Sequence, residues 1–137
     1  MKRALICFLP FIVMLAAACR KLGPTVIAPL GNFSGVFTRI HYTASTKKYD
    51  TLKAGLNVVI DINTGFAVSG DTTVHTASHG DFYTNATQIE FDDYTYAQLL
   101  NKVHLNGVYD YTYDGSLLQF SRSLADTLRY SYALRKQ

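Results

Sequence analysis

The chain of 137 residues contains no tryptophan, only three prolines and only two cysteines. Its uncharged, mostly apolar run of residues 4–18 is shorter than the roughly 20 apolar residues that a membrane-spanning helix needs, and no later apolar stretch approaches that length. It also lacks a phosphate-binding glycine loop, a nucleophile elbow and a paired CxxC motif. We therefore expect neither a spanning helix nor an enzyme.

The first residues carry the pattern of an export signal. Lys2 and Arg3 precede the uncharged run of residues 4–18, which contains Pro10 and ends in three alanines. A short positive start, an apolar centre and small residues at the end are typical of a cleaved signal peptide. We predict that residues 1–18 form this signal.

Cys19 follows the three alanines directly. The stretch from Leu15 to Cys19 resembles the lipobox of bacterial lipoproteins, although Ala16 stands where leucine is usual. The resemblance implies that Cys19 becomes the acylated first residue, carrying fatty acids such as palmitate, and anchors the protein to a membrane. An ordinary cleavage after Ala18 would instead leave a free thiol. The number of cysteines favours lipidation of Cys19. Cys7 is removed with the signal, and a single remaining cysteine in an exported chain needs an explanation.

Removal of the signal leaves 119 residues, enough for one domain with one core. This part has 11 basic and 10 acidic side chains, so we expect no nucleic-acid partner. Residues 19–31 contain two glycines and two prolines and are predicted to be the lipidated cysteine and a linker. Arg20 stands where many lipoproteins retained in the inner membrane have aspartate. We therefore expect a cell-envelope location, at the outer membrane and facing the periplasm.

Residues 32–137 alternate between apolar and polar positions. The even positions of residues 52–62 are all apolar, and residues 128–134 repeat the pattern. This period of two predicts half-buried antiparallel strands, while Asn63-Thr64-Gly65 and Asp114-Gly115 predict tight turns. We predict an all-β domain of seven or eight strands, a barrel or alternatively a β-sandwich, with one short helix near residues 94–103.

A family resemblance favours the barrel. The stretch from Gly31 to Phe37 is similar to the glycine-x-aromatic opening of lipocalin-type barrels. The alternation of residues 105–120, together with Tyr132-x-Leu134-x-Lys136, resembles small lipocalin-like lipoproteins of Bacteroidetes. The resemblance implies a membrane-anchored envelope lipoprotein that binds a small apolar ligand. The alternative function is a non-enzymatic β-sandwich module that contacts other envelope proteins; the sequence identifies no protein partner.

Four histidines raise the question of a metal site. His75, His79 and Asp81 lie within seven residues. The surrounding threonine, serine, glycine and aspartate residues are ordinary loop composition, so we expect solvated loop histidines, no metal and no other cofactor.

Tyrosines are the remaining candidate site residues. They follow two predicted strands at alternate positions, where they would line a ligand cavity or form an aromatic ladder that fills a small barrel. The candidates are Tyr109, Tyr111, Tyr113, Tyr130 and Tyr132.

Overall fold

A computed structural model describes residues 27–96 and 102–137. The predicted signal, Cys19 and residues 20–26 of the predicted linker lie outside the described residues. The described chain forms eight strands: β1 Gly31–Thr43, β2 Lys48–Asp61, β3 Gly65–Gly70, β4 Ser78–Thr84, β5 Gln88–Asp93, β6 Gly107–Tyr113, β7 Leu117–Leu124 and β8 Leu128–Lys136.

The eight strands close into one antiparallel barrel in which each strand pairs with its sequence neighbours. The closing ladder joins β1 to β8 and runs from Phe33 opposite Lys136 to His41 opposite Leu128. Closure leaves no free sheet edge, which is how small antiparallel sheets avoid unpaired backbone groups. The predicted barrel is thereby confirmed, and the β-sandwich alternative is excluded.

The alternation of the sequence explains which faces point inward. In β2, Ala54, Leu56, Val58 and Ile60 are buried, whereas the residues between them are exposed. Successive side chains of a strand point to opposite faces, so one face of β2 packs inside the barrel and the other meets water. The same alternation holds along β6 and at the end of β8.

Two of the predicted turns have the chemistry that tight reversals need. At the β6–β7 turn, an Asp114 carboxylate oxygen accepts hydrogen bonds from the backbone N–H groups of Ser116 and Leu117, at 2.8 and 2.7 Å. These bonds hold the pKa of Asp114 below its usual range. Gly115 has a φ of 96°, which side chains rarely adopt. The turn at residues 61–65 repeats this arrangement.

The core runs along the barrel interior and draws side chains from seven of the eight strands. Two further members, Val103 and Leu105, come from the segment before β6. The buried hydrophobic residues are Phe33, Phe37, Ala54, Leu56, Val58, Ile60, Phe66, Val68, Ile89, Phe91, Val103, Leu105, Tyr109, Tyr111, Leu118, Phe120, Tyr132 and Leu134.

The two ends of the barrel differ. Where β1 begins, Pro29 is buried and Leu30 packs against the core. The opposite end, which we call the mouth, contains the β1–β2 and β7–β8 hairpins and the segments 71–77 and 102–106. Those two segments meet in a parallel bridge between His75 and Val103. They therefore cover part of the mouth.

The predicted helix near residues 94–103 falls largely on residues 97–101, which lie outside the described residues. Tyr94 and Thr95 form a turn, and Val103 belongs to the bridge. Residues 27–96 and 102–137 contain no helix. Accordingly, none in those ranges is long and apolar enough to cross a membrane.

Candidate functional site

The structure places the five candidate tyrosines on inward faces, but not around one cavity. Tyr109 and Tyr132 are 1% and 2% exposed, and their ring centroids lie 5.7 Å apart. Tyr113 packs edge-on against Phe33 at the end where β1 begins. Tyr130, by contrast, is half-buried and lies towards the mouth. The ligand-lining role remains a prediction, and Tyr130 has the position that suits it best.

Aromatic rings occupy the centre of the barrel. Phe120 stacks on Tyr132 with a centroid distance of 4.4 Å, and Phe91 and Phe37 contact this pair from either side. Stacked and tilted ring pairs of this kind add to the stability that burial provides. The central tyrosines therefore pack as an aromatic ladder inside the barrel.

His75 is the buried polar group at the top of this aromatic stack. The expectation of a solvated loop histidine is wrong for His75, whose exposed fraction is 0%. Its Nδ1 lies 2.7 Å from the carbonyl oxygen of Thr76, which only accepts hydrogen bonds, so Nδ1 carries the proton. Its Nε2 therefore accepts a hydrogen bond from the Tyr132 hydroxyl at 2.9 Å. Phe37 packs edge-on against the imidazole ring.

Burial determines the charge states of His75, Tyr109 and Tyr132. Desolvation lowers the pKa of His75 to about 4, which outweighs the hydrogen bond to Thr76. Desolvation also raises the pKa values of Tyr109 and Tyr132. The imidazole and both phenols are therefore neutral at neutral pH.

A second buried polar pair lies at the end of β5. His104 Nδ1 is 2.7 Å from an Asp93 carboxylate oxygen. The other Asp93 oxygen accepts hydrogen bonds from the backbone N–H and hydroxyl of Thr95, at 2.8 and 2.6 Å. The Asp93 backbone N–H donates to the Asn106 side chain. These bonds fasten the covering segment 102–106 to the barrel wall.

The three residues that were considered as metal ligands lie apart in the structure. His75 lies inside the barrel, whereas His79 and Asp81 are exposed on β4. Asp81 instead accepts a hydrogen bond from the Tyr94 hydroxyl, and this bond raises the pKa of Tyr94 to about 12. Among the residues that the structure describes, no three metal-ligating side chains form a group.

The mouth holds cationic and apolar side chains that sequence reasoning missed. Arg122 lies with its guanidinium carbon 4.9 Å from the centroid of Tyr109 and 5.6 Å from that of Tyr130. Arg39 is paired with Tyr130 in the β1–β8 ladder. Around the arginines lie half-buried leucines on inward positions: Leu52, Leu124 and Leu128. The strand alternation contained this signal, because all these residues share the inward parity of their strands.

Open space exists outside the barrel wall. Two grooves of about 600 Å³ each lie on the outer face of the strands β6, β7, β8, β1 and β2. Arg129 borders both grooves, and Tyr42 and Tyr49 pack together in one of them, with ring centroids 5.0 Å apart.

Comparisons with known proteins leave the family open: no family model matches the chain, and no curated protein or solved structure has significant similarity to it. The fold itself is an eight-stranded antiparallel closed barrel, which is compatible with a lipocalin-like binding domain.

Proposed function

We propose that this protein is a lipid-anchored lipoprotein of the bacterial cell envelope whose lipocalin-like barrel binds a small apolar molecule at its mouth. The proposed activity is binding, without a catalytic step. The observation that carries the proposal is the closed barrel with half-buried leucines at one end. The leader and Cys19 in the sequence support the anchoring.

Binding at the mouth fits the packing better than binding at the centre. The stacked rings of Phe120 and Tyr132 occupy the middle of the barrel, so an apolar molecule there would have to displace close-packed side chains. Leu52, Leu124 and Leu128 are only half-buried and face inward. An apolar ligand covering them removes further apolar surface from water, which favours binding.

The chain direction supports a mouth that faces away from the membrane. Ile27 is the first described residue, and β1 begins at the end opposite the mouth. Seven residues separate Cys19 from Ile27, and even a fully extended chain of that length spans only about 25 Å. In the proposed arrangement, a lipid on Cys19 holds the barrel at the outer membrane by the end where β1 begins, and the mouth faces the periplasm.

Anchoring is tested by expressing the full chain in a Gram-negative bacterium and measuring the mass of the mature protein. We expect cleavage before Cys19, the added mass of acyl chains, and recovery in the membrane fraction. Cys19→Ala moves the protein to the soluble fraction, whereas Cys7→Ala, inside the signal, is the matched control and does not. An unmodified Cys19 overturns the anchoring.

Ligand binding is tested by extracting the purified protein with organic solvent and by titrating it with 1-octanol. We expect Leu128→Gln to weaken octanol binding, because it places a polar amide on the inward rim. Val36→Gln is the control, since Val36 is 43% exposed on the outer face of β1. The absence of both an extractable apolar molecule and octanol binding overturns the binding function.

A further inference from the structure

We propose that the ligand of the mouth is an organic anion, an apolar chain that ends in a carboxylate or phosphate, and that Arg39 and Arg122 bind its charged group. This inference rests on the proposed binding function and adds the charge of the ligand to it. It starts from two guanidinium groups at the mouth. Arg122 has no carboxylate partner among the described residues, and Arg39 has only a long, exposed pair with Asp50.

The strand register brings the two arginines onto one inward row. Arg122 on β7 lies opposite Tyr130 on β8, and Tyr130 lies opposite Arg39 on β1. The row continues to Leu52 on β2, which lies opposite Arg39. Neighbouring strands are about 4.8 Å apart, so two arginines on either side of one strand are within reach of a common ligand. Tyr130 lies between the two arginines in this row.

Arg122 has aromatic contacts but no charge partner. Its guanidinium lies by the rings of Tyr109 and Tyr130, and its Nη1 packs so close to Gly107 that a Cβ there would lie 2.3 Å away. Its Nε is buried and has no hydrogen-bond partner among the described residues. No carboxylate in residues 27–96 or 102–137 lies within 4 Å of it.

This environment suits an oxyanion. Ring contacts use the faces of a guanidinium and leave its N–H donors free at the edge. Those donors match the two oxygens of a carboxylate or phosphate. Burying part of a charged guanidinium without a partner costs free energy, and a bound anion offsets that cost.

Arg39 adds a second positive charge that is only weakly balanced. Its Nη2 lies 3.8 Å from an Asp50 carboxylate oxygen, and the Asp50 side chain is 58% exposed. A pair this long and this exposed to water contributes little. The Nε of Arg39 is also buried and without a hydrogen-bond partner among the described residues. The other titratable groups at inward positions of this part of β1 and β2 are His41, opposite Asp50, and Lys48. Asp71 and Asp126 lie in exposed turns at the rim of the mouth.

The half-buried leucines define the rest of the ligand. Leu124 lies opposite Leu128, next to the row of Arg122 and Tyr130 towards the β7–β8 turn. Leu52 lies on the other side, beyond Arg39. An anion that carries a short alkyl chain satisfies the arginines with its head group and covers these leucines with its chain.

The test titrates the mature chain with octanoate, octyl phosphate and 1-octanol by calorimetry. The three probes share the same chain length and differ in charge. We expect at least one of the two anions to bind about tenfold more tightly than octanol, as charge-assisted hydrogen bonds to arginine predict. The better of the two anions identifies whether the natural head group is a carboxylate or a phosphate.

Single substitutions test whether the two arginines cause the preference for anions over octanol. Arg39→Gln and Arg122→Gln each reduce anion affinity about tenfold and leave octanol affinity unchanged. Arg129→Gln is the matched control, because Arg129 adjoins Tyr130 on β8 but is exposed. If Arg122→Gln does not fold, two measurements remain. Arg39→Gln still tests the second arginine, and anion affinity should fall at high salt, which screens the interaction between the charges.

The outcomes separate the two proposals. If octanol binds as tightly as both anions, or if the Arg39 and Arg129 variants behave alike, the anion inference fails while the binding function stands. If none of the three probes binds, the anion inference fails. If solvent extraction also yields no apolar molecule, the binding function fails with it.

Discussion

At the scale of single residues, His75 couples the stability of the barrel to pH. Its pKa is lowered to about 4 in the folded protein and returns to about 6.5 in the unfolded chain. Between these values the unfolded state binds more protons, so the free energy of unfolding falls as the pH falls from 6.5 to 4. The difference corresponds to about 3 kcal/mol. Urea unfolding at a series of pH values measures it.

The slope of the unfolding free energy against pH distinguishes the contribution of His75 from those of other titratable groups. His75→Gln does not titrate, so we expect it to lack the loss between pH 6.5 and 4, whatever its absolute stability. His79→Gln, an exposed neighbour, keeps the loss. Asp61, Asp71 and Asp114 have lowered pKa values, so the stability that these carboxylates contribute is lost only below about pH 4. Both variants therefore keep this separate loss at lower pH. Equal slopes for His75→Gln and the parent contradict this account.

The Tyr132 hydroxyl supports His75 directly. Tyr132→Phe removes the donor to His75 Nε2 and leaves a buried acceptor without a partner, so we expect a loss of about 1–3 kcal/mol of unfolding free energy. Tyr111→Phe is the matched comparison. The Tyr111 hydroxyl donates to the Asn85 carbonyl at 2.9 Å in a partly exposed site, where water can replace it, so we expect a loss below about 1 kcal/mol. Chemical denaturation of both variants distinguishes them; equal losses would show that burial of this bond is unimportant.

At the scale of strands, one glycine sets how closely β1 approaches β8. A Cβ on Gly35 would lie 2.1 Å from the Ala133 carbonyl oxygen and 2.9 Å from the Leu134 Cα. These are backbone atoms, so Gly35→Ala must push the two strands apart. We expect it to lower the unfolding free energy by at least about 3 kcal/mol, the upper range for overpacking.

Gly55 on the neighbouring strand provides the control. A Cβ at Gly55 meets no heavy atom within 4 Å. Because glycine destabilises a strand interior by roughly 0.5–1 kcal/mol relative to alanine, we expect Gly55→Ala to be neutral or slightly stabilising. Thermal unfolding of both variants checks the pair. A tolerated Gly35→Ala would mean that the closing ladder is less tightly packed than the structure indicates.

Sequence patterns predicted the strands well because the signals that form them are local. The inward residues of β2 and β8 follow from alternation alone, and the turns at Gly65 and Gly115 follow from residues that favour positive φ or accept backbone hydrogen bonds. The choice between barrel and sandwich was not local. It depends on whether β1 pairs with β8, and the alternation of each strand is the same in both architectures.

The mouth was hard to predict for the same reason. The segment around His75 has the composition of an exposed loop, yet His75 is buried because it meets Tyr132, 57 residues further along the chain. Arg39 and Arg122 resemble ordinary charged positions near strand ends. Only the register of three strands shows that they flank Tyr130.

At the scale of the whole molecule, seven of the eight ladders join strands that are consecutive in sequence, and only the β1–β8 ladder joins distant ones. This ladder brings the two described ends of the chain together. The Gln137 backbone N–H donates to the Asn32 carbonyl at 2.9 Å, and the Lys136 side chain packs by Gly31. Neighbouring ends allow a chain to be rejoined and reopened elsewhere without a change of fold.

A circular permutant therefore tests the closed topology directly. We expect a chain that joins Gln137 to Ile27 through a short glycine–serine linker, and begins and ends at the turn between Asp114 and Gly115, to fold into the same barrel. The β1–β8 ladder then becomes a hairpin, and the β6–β7 ladder becomes the closing one. The same linkage opened between Val58 and Val59 interrupts β2, which pairs on both sides, and should not unfold cooperatively. Circular dichroism and urea unfolding measure both, and a reversal of these outcomes would contradict the closed eight-stranded order.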